Sequence, residues 1–147
     1  MAAVSISAEV AKKLKEPESA KVQRAVKPGR LVYAYTMKIA DEVVFDKLYE
    51  AAGREKELTF DDLIEGLPDS QPRYIVLSYH QVHEDGRASF PRQFIYYLPE
   101  TSGSKNNMLY ATTLEKLARE TRLPQAVTAT EDELNELVDK WSAEGSA

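Results

Sequence analysis

Across residues 31–39 the larger side chains fall on every second position, Leu31, Tyr33, Tyr35, Met37 and Ile39, with smaller or polar residues between them. A period of two predicts a half-buried strand, because successive side chains of extended chain point to opposite faces. Ala40-Asp41-Glu42 then reads as a turn into a second strand over 43–49, paired with the first as an antiparallel hairpin. Tyr74-Ile75-Val76-Leu77 is different, a nearly continuous apolar run that suits a central strand covered on both faces. His83-Glu84-Asp85-Gly86-Arg87 carries an Asp-Gly turn signal and returns the chain through Phe90 into a strand over 94–98, with Pro91 before the ladder or at a bulge.

Helical spacing appears elsewhere. Ile6, Val10 and Leu14 recur every fourth residue behind Ser7 as a cap and Glu9 in the first turn, predicting a short amphipathic helix to about Lys15 that Pro17 ends. A polar, basic stretch closed by Pro28-Gly29 follows it. Residues 53–57 read as a charged loop. Thr59 with Asp62 then predicts a capping box opening a helix through Phe60, Leu63, Ile64 and Leu67, stopped by Gly66 and Pro68. A long helix is predicted over about 105–122, between a breaker cluster at 99–104 and Pro124. A short strand at 126–128 precedes a second capping pattern, Thr130 with Glu133, and a helix striped by Leu134, Leu137, Val138 and Trp141. The order α-ββ-α-ββ-α-β-α predicts an α/β fold of the α+β type, a central mixed sheet of five to six strands flanked by helices. One domain is expected over 1–147, ordered from about 5 to 142.

At 147 residues, 43% apolar and 29% charged, the chain has the size and balance of one globular domain, so disorder is not favoured for its body. The absence of cysteine excludes disulfides, thiol catalysis and cysteine zinc sites. Residues 1–16 lack the apolar core of a signal peptide, and no apolar run approaches the ~20 residues needed to cross a bilayer, so a cytoplasmic address is expected and no membrane. Net charge is -5 but polarised: residues 1–30 hold seven Lys/Arg against three Glu, and residues 123–147 one Lys against six acids. An acidic total argues against nucleic acid as a partner, while the basic N-terminal part is suited to steering an acidic protein.

Catalytic chemistry finds little support. The six glycines are scattered singly, and Gly103-Ser104-Lys105 lacks the first glycine of a phosphate loop, so it reads as a loop before a helix start. His80 and His83 should point to opposite faces, and Ser78 beside His80 has no nucleophile turn, so neither a metal site nor a triad is predicted. Asp41-Glu42, Asp61-Asp62 and Glu84-Asp85 sit at turns or a helix start, where carboxylates cap N–H groups. Six of the tyrosines fall in predicted strands, where aromatics pack. No catalytic residue, metal or cofactor is expected.

The long helix has two unlike faces. At 100° per residue, Tyr110, Ala111, Leu114, Leu117 and Ala118 share the side predicted to pack on the sheet. Lys105, Met108, Leu109, Thr112, Lys116 and Arg119 fall opposite, two large apolar side chains among cations. An apolar centre with a charged rim is the anatomy of a protein-binding patch. The alternative is that Met108 and Leu109 tuck under the preceding loop.

The stretch Leu67-Pro68-Asp69-Ser70-Gln71-Pro72-Arg73-Tyr74-Ile75-Val76, the turn His83-Glu84-Asp85-Gly86-Arg87 with Phe90-Pro91, and Met108-Leu109-Tyr110-Ala111 together resemble the glia maturation factor family, which has the actin-depolymerising-factor homology fold. The likeness runs from about Ser5 to Trp141 and is densest over 67–111. It implies a non-enzymatic, monomeric regulator at cortical branched-actin structures. Such a protein binds the Arp2/3 branching complex, blocks branched nucleation and detaches daughter filaments, with weak or no binding to free actin. It also implies one partner surface made of Ser5, Ser7, Lys105, Met108, Leu109, Thr112, Lys116 and Arg119. A second surface, for debranching, is implied at Glu84, Asp85 and Arg87 with neighbouring positions of the last helix. Leu114 stands where relatives usually carry lysine, which weakens the basic face and a cofilin-like severing activity alike, and residues 16–30 match poorly. Phosphorylation of Ser5 or Ser7 would set negative charge beside a basic surface and weaken binding; a helix cap is the other reading of Ser7. The rivals are a cofilin-like actin binder that severs filaments and a small enzyme with an unrecognised site.

Overall fold

The computed structural model describes residues 3–16, 20–51 and 58–144, with the side chains of 20, 21, 24, 104–106 and 144 outside that description. The charged loop expected over 53–57 and the role given to Pro17 lie outside the described residues. The elements are α1 (Ala8–Lys15), α2 (Ala20–Ala25), β1 (Leu31–Ile39), β2 (Val43–Glu50), α3 (Phe60–Glu65), β3 (Arg73–Tyr79), β4 (Gln81–Val82), β5 (Ala88–Ser89), β6 (Arg92–Tyr97), α4 (Ser104–Thr121), β7 (Val127–Ala129) and α5 (Glu131–Glu144). Five strands form one sheet in the order β2-β1-β3-β6-β7. Its first three pairings are antiparallel and β6–β7 is parallel, so the sheet is mixed, as expected. Among the described residues no helix is long and apolar enough to cross a membrane.

β3 lies in the middle of the sheet and is buried at every position, in keeping with its unbroken apolar run. β1 departs from the half-buried strand its alternation predicts. Its first seven residues are all buried, because Val32, Ala34 and Thr36, the smaller residues of the pattern, are covered too. The register with β3 also slips between Leu31 and Tyr33. That bulge leaves Val32 and Tyr33 in one core and turns Leu31 into the other, so the apparent alternation of Leu31 with Tyr33 spans a change of face.

Two cores result. Val10, Leu14, Val32, Tyr35, Met37, Tyr74, Tyr110 and Leu117 fill one, and Leu31, Leu58, Phe60, Leu63, Leu77, Leu134 and Trp141 fill the other. The predicted caps form as expected. Ser7 Oγ accepts from Val10 N at 3.2 Å, Thr59 and Asp62 bond reciprocally, and Thr130 and Glu133 do the same. Two elements go beyond the expected order. The polar stretch after α1 contains α2, whose Val22 packs on the first core, and the 83–87 turn carries its own two-stranded ribbon, β4–β5. α4 ends one residue before Arg122, which adopts φ +55° in the left-handed region while Leu123 N donates to Ala118 O at 3.0 Å. This closes the helix as a glycine usually would, ahead of Pro124.

Candidate functional site

The sheet-facing side of α4 is centred differently from its projection. Tyr110, Thr113, Leu117 and Thr121 are buried, Leu114 and Ala118 are half-buried beside them, and Ala111 is exposed. The two threonines obscured the stripe because they are polar, yet both hydroxyls are satisfied. Thr121 Oγ1 donates to Leu117 O at 2.5 Å, and Thr113 Oγ1 accepts from Val4 N at 3.3 Å. Sequence reasoning missed Thr113 as a positioning residue; its one signal is a β-branched hydroxyl three residues after Tyr110, inside an apolar stripe.

Thr113 belongs to a polar seam beneath the helix. Its hydroxyl also bonds the Tyr74 phenol, which donates to Tyr110 O at 2.6 Å. The Tyr110 phenol in turn accepts from Ile39 N at 2.8 Å, and Tyr96 donates to Asn107 O at 3.2 Å. Burial, with neighbouring phenols adding, pushes Tyr74 far above the usual tyrosine range and Tyr96 up to about 12, so both hydroxyls remain donors. The seam ties the N-terminal segment, α4, β1 and the central strand together. A parallel bridge from Ile6 to Val43 and the bond from Val43 N to Ser5 O at 2.9 Å hold the same segment against β2.

The residues of the first predicted surface are therefore neighbours in part, with α1 packed beside α4 and β2. Met108 is 61% exposed, and Leu109 is half-buried without joining either core. Thr112 and Arg119 are exposed, and Lys116 is half-buried. Thr112 turns its hydroxyl back to Met108 O at 2.8 Å. Ser5 is exposed, 3.3 Å from Glu42 Oε2, and Ser7 serves as the cap of α1. The side chain of Lys105 lies outside the described residues. Glu115 and Ala111 join the outer strip, so its charge is mixed rather than uniformly basic.

The second predicted surface sits on the β4–β5 ribbon. Gly86 takes φ +85°, Arg87 N donates to Asp85 Oδ1 at 3.0 Å, and the Arg87 and Asp85 side chains pair at 3.5 Å while 71% and 64% exposed. Such a pair adds little stability, so both groups stand available in water with Glu84. α5 packs beside β4. The histidines are separately engaged, His80 Nδ1 lying 2.7 Å from Val26 O and His83 Nε2 2.9 Å from Ser89 Oγ. No cluster of potential metal ligands occurs among the described residues.

Known proteins bear on this geometry. The chain is 39% identical over 85 residues to "Glia maturation factor" of Drosophila melanogaster, covering 58% of this chain and 60% of that protein. It is 37% identical over 86 residues to "Glia maturation factor beta" of Homo sapiens, covering 57% and 58%. The matches thus span about three fifths of these relatives' length. The solution structure of glia maturation factor from Caenorhabditis elegans superposes with a TM-score of 0.62 at 28% identity, over 90% of both chains. Actin depolymerization factor 2 of Plasmodium berghei superposes with a TM-score of 0.69 at 22% identity, over 94% of this chain and 97% of that one, a likeness of fold. Residues 3–144 match the family described as Cofilin/tropomyosin-type actin-binding protein, and the chain belongs to that family.

Proposed function

We propose that this protein regulates branched actin by binding the Arp2/3 complex, inhibiting branched nucleation and promoting detachment of daughter filaments at the cell cortex. The observation that carries this reading is Met108, 61% exposed on a helix sewn to the N-terminal segment through Val4 and Thr113. A large apolar side chain in water, followed along the outer strip of the same helix by Lys116 and Arg119, gives a partner an anchor with cations beyond it. The likeness to glia maturation factors supports the choice of partner over bare actin filaments.

Lys116→Glu with Arg119→Glu is expected to weaken binding to the purified complex by about 2 kcal/mol or more, read by titration, with the unfolding midpoint unchanged. Unaltered affinity rejects this surface. Strong pelleting with bare filaments, in the absence of the complex, favours the cofilin-like reading instead. On the ribbon, Asp85→Ala with Arg87→Ala should slow debranching, watched by microscopy, more than it weakens complex binding. Equal losses would argue for one surface rather than two.

A further inference from the structure

A groove of about 570 Å3 opens where the C-terminal ends of α1 and α4 meet the start of β6. Leu14 is among its lining residues, together with Lys15, Arg92, Arg119, Arg122 and one acid, Glu120. It lies at the opposite end of α4 from Met108, roughly 16 Å along the axis at 1.5 Å per residue. Four cations against one carboxylate is a steep local excess in a chain whose net charge is -5. Cations at helix C-termini have an ordinary role in offsetting the exposed carbonyls; Lys15 and Arg119 stand in the last turns of α1 and α4, but only Arg92 of the four bonds such a carbonyl through its side chain, from Nη1 to Leu14 O at 3.2 Å. The side chains of Lys15, Arg119 and Arg122 make no hydrogen bond or ion pair among the described residues. Arg122 moreover holds a left-handed position, φ +55°, that glycine would occupy without strain.

We propose that this groove binds an acidic peptide segment of a protein partner. Its volume lies within the roughly 300–1,000 Å3 of ligand pockets and is far more than one phosphate group requires. Three guanidinium groups present planar donors that match carboxylates in pairs. Glu120 would repel a flat anionic membrane, but it can accept an N–H from a peptide backbone lying in the groove. The chain's net charge of -5 further disfavours an anionic lipid surface. The groove shares Arg119 with the surface proposed for the Arp2/3 complex, so the test uses Lys15 and Arg122, which that surface lacks, and is run on the protein alone.

The probe is a short fluorescein-labelled peptide of alternating Asp and Glu, followed by anisotropy, with the Asn/Gln counterpart as control. The acidic peptide is expected to bind with an affinity that falls steeply with salt, and the control not to bind. Lys15→Glu with Arg122→Glu should lower affinity at least about tenfold, and Arg92→Gln should lower it less. The double variant alters two exposed side chains that make no bond in the fold, so unfolding is not a route to the loss; its unfolding midpoint is measured alongside. Unchanged affinity in the double variant overturns the proposal, as does absence of binding to the wild-type protein at low salt. Vesicles of phosphatidylcholine with phosphatidylserine form the second arm. Capture by them, lost in the double variant and unaccompanied by peptide binding, overturns the peptide in favour of a lipid surface.

Discussion

The sheet is closed on its two faces by different chemistry. On one face Trp141 of α5 stacks on Tyr79, with ring centroids 5.8 Å apart, and lies 6.2 Å from Phe60 of α3, an interlock of aromatic rings. On the other face α4 is held by the tyrosine and threonine seam as much as by apolar contact. The outer sides differ accordingly. α5 turns Asp132, Glu133, Glu136 and Asp139 to water with no large apolar residue among them, whereas α4 leaves Met108 out. A helix fixed by directional bonds can keep an apolar residue on its outer strip without rolling that residue inward. The aromatic face closes the fold, and the seamed face presents a surface.

The largest expected effect falls on the aromatic face. Trp141→Ala removes a side chain only 4% exposed and should cost about 3–5 kcal/mol, measured by denaturant unfolding. Binding by the fraction that remains folded should persist, since Trp141 sits across the sheet from α4. A loss below about 1 kcal/mol would mean that the ring cluster contributes little to closing this face. Tyr74→Phe is next. It strips the donor from Tyr110 O and a partner from the buried Thr113 hydroxyl, so about 1–3 kcal/mol is expected. It should also loosen the N-terminal segment, read as faster amide exchange near Val4. Unchanged exchange there would separate the segment from the seam.

Much of this contrast is readable in residues alone, and the parts that are not have physical causes. The fully buried β3 announces itself by its apolar run, and the caps at Ser7, Thr59 and Thr130 by short-range side-chain chemistry that needs no tertiary context. β1 misleads because a bulge at Val32 changes which face the next residue meets, and no local pattern marks a slip set by partners as distant in the chain as Ser78 and Tyr79 of β3. α4 misleads in the same way. Thr113 and Thr121 look like surface residues until Val4 N and Leu117 O satisfy their hydroxyls, and Ala111, small and apolar, fits either side. Spacing puts Met108 on the outer strip with tucking under the preceding loop as the alternative, and its exposure of 61% decides between them. The cationic groove could not, because Lys15, Arg92 and Arg122 come from three separate elements and meet only in the folded chain.

The smallest expected effect on stability is the sharpest test of the contrast. Met108→Ser deletes an apolar side chain as Trp141→Ala does, but one that already lies 61% in water and belongs to neither core. Most of its transfer free energy is therefore not recovered on folding, and the unfolding free energy should move by less than about 0.5 kcal/mol. Covering by a partner is where that surface would be removed from water, so the same substitution should weaken Arp2/3 binding by about 1 kcal/mol or more. A stability loss of roughly 2 kcal/mol with binding intact would make Met108 part of the closure of its own face, and the two sides of the sheet would then differ in composition but not in role.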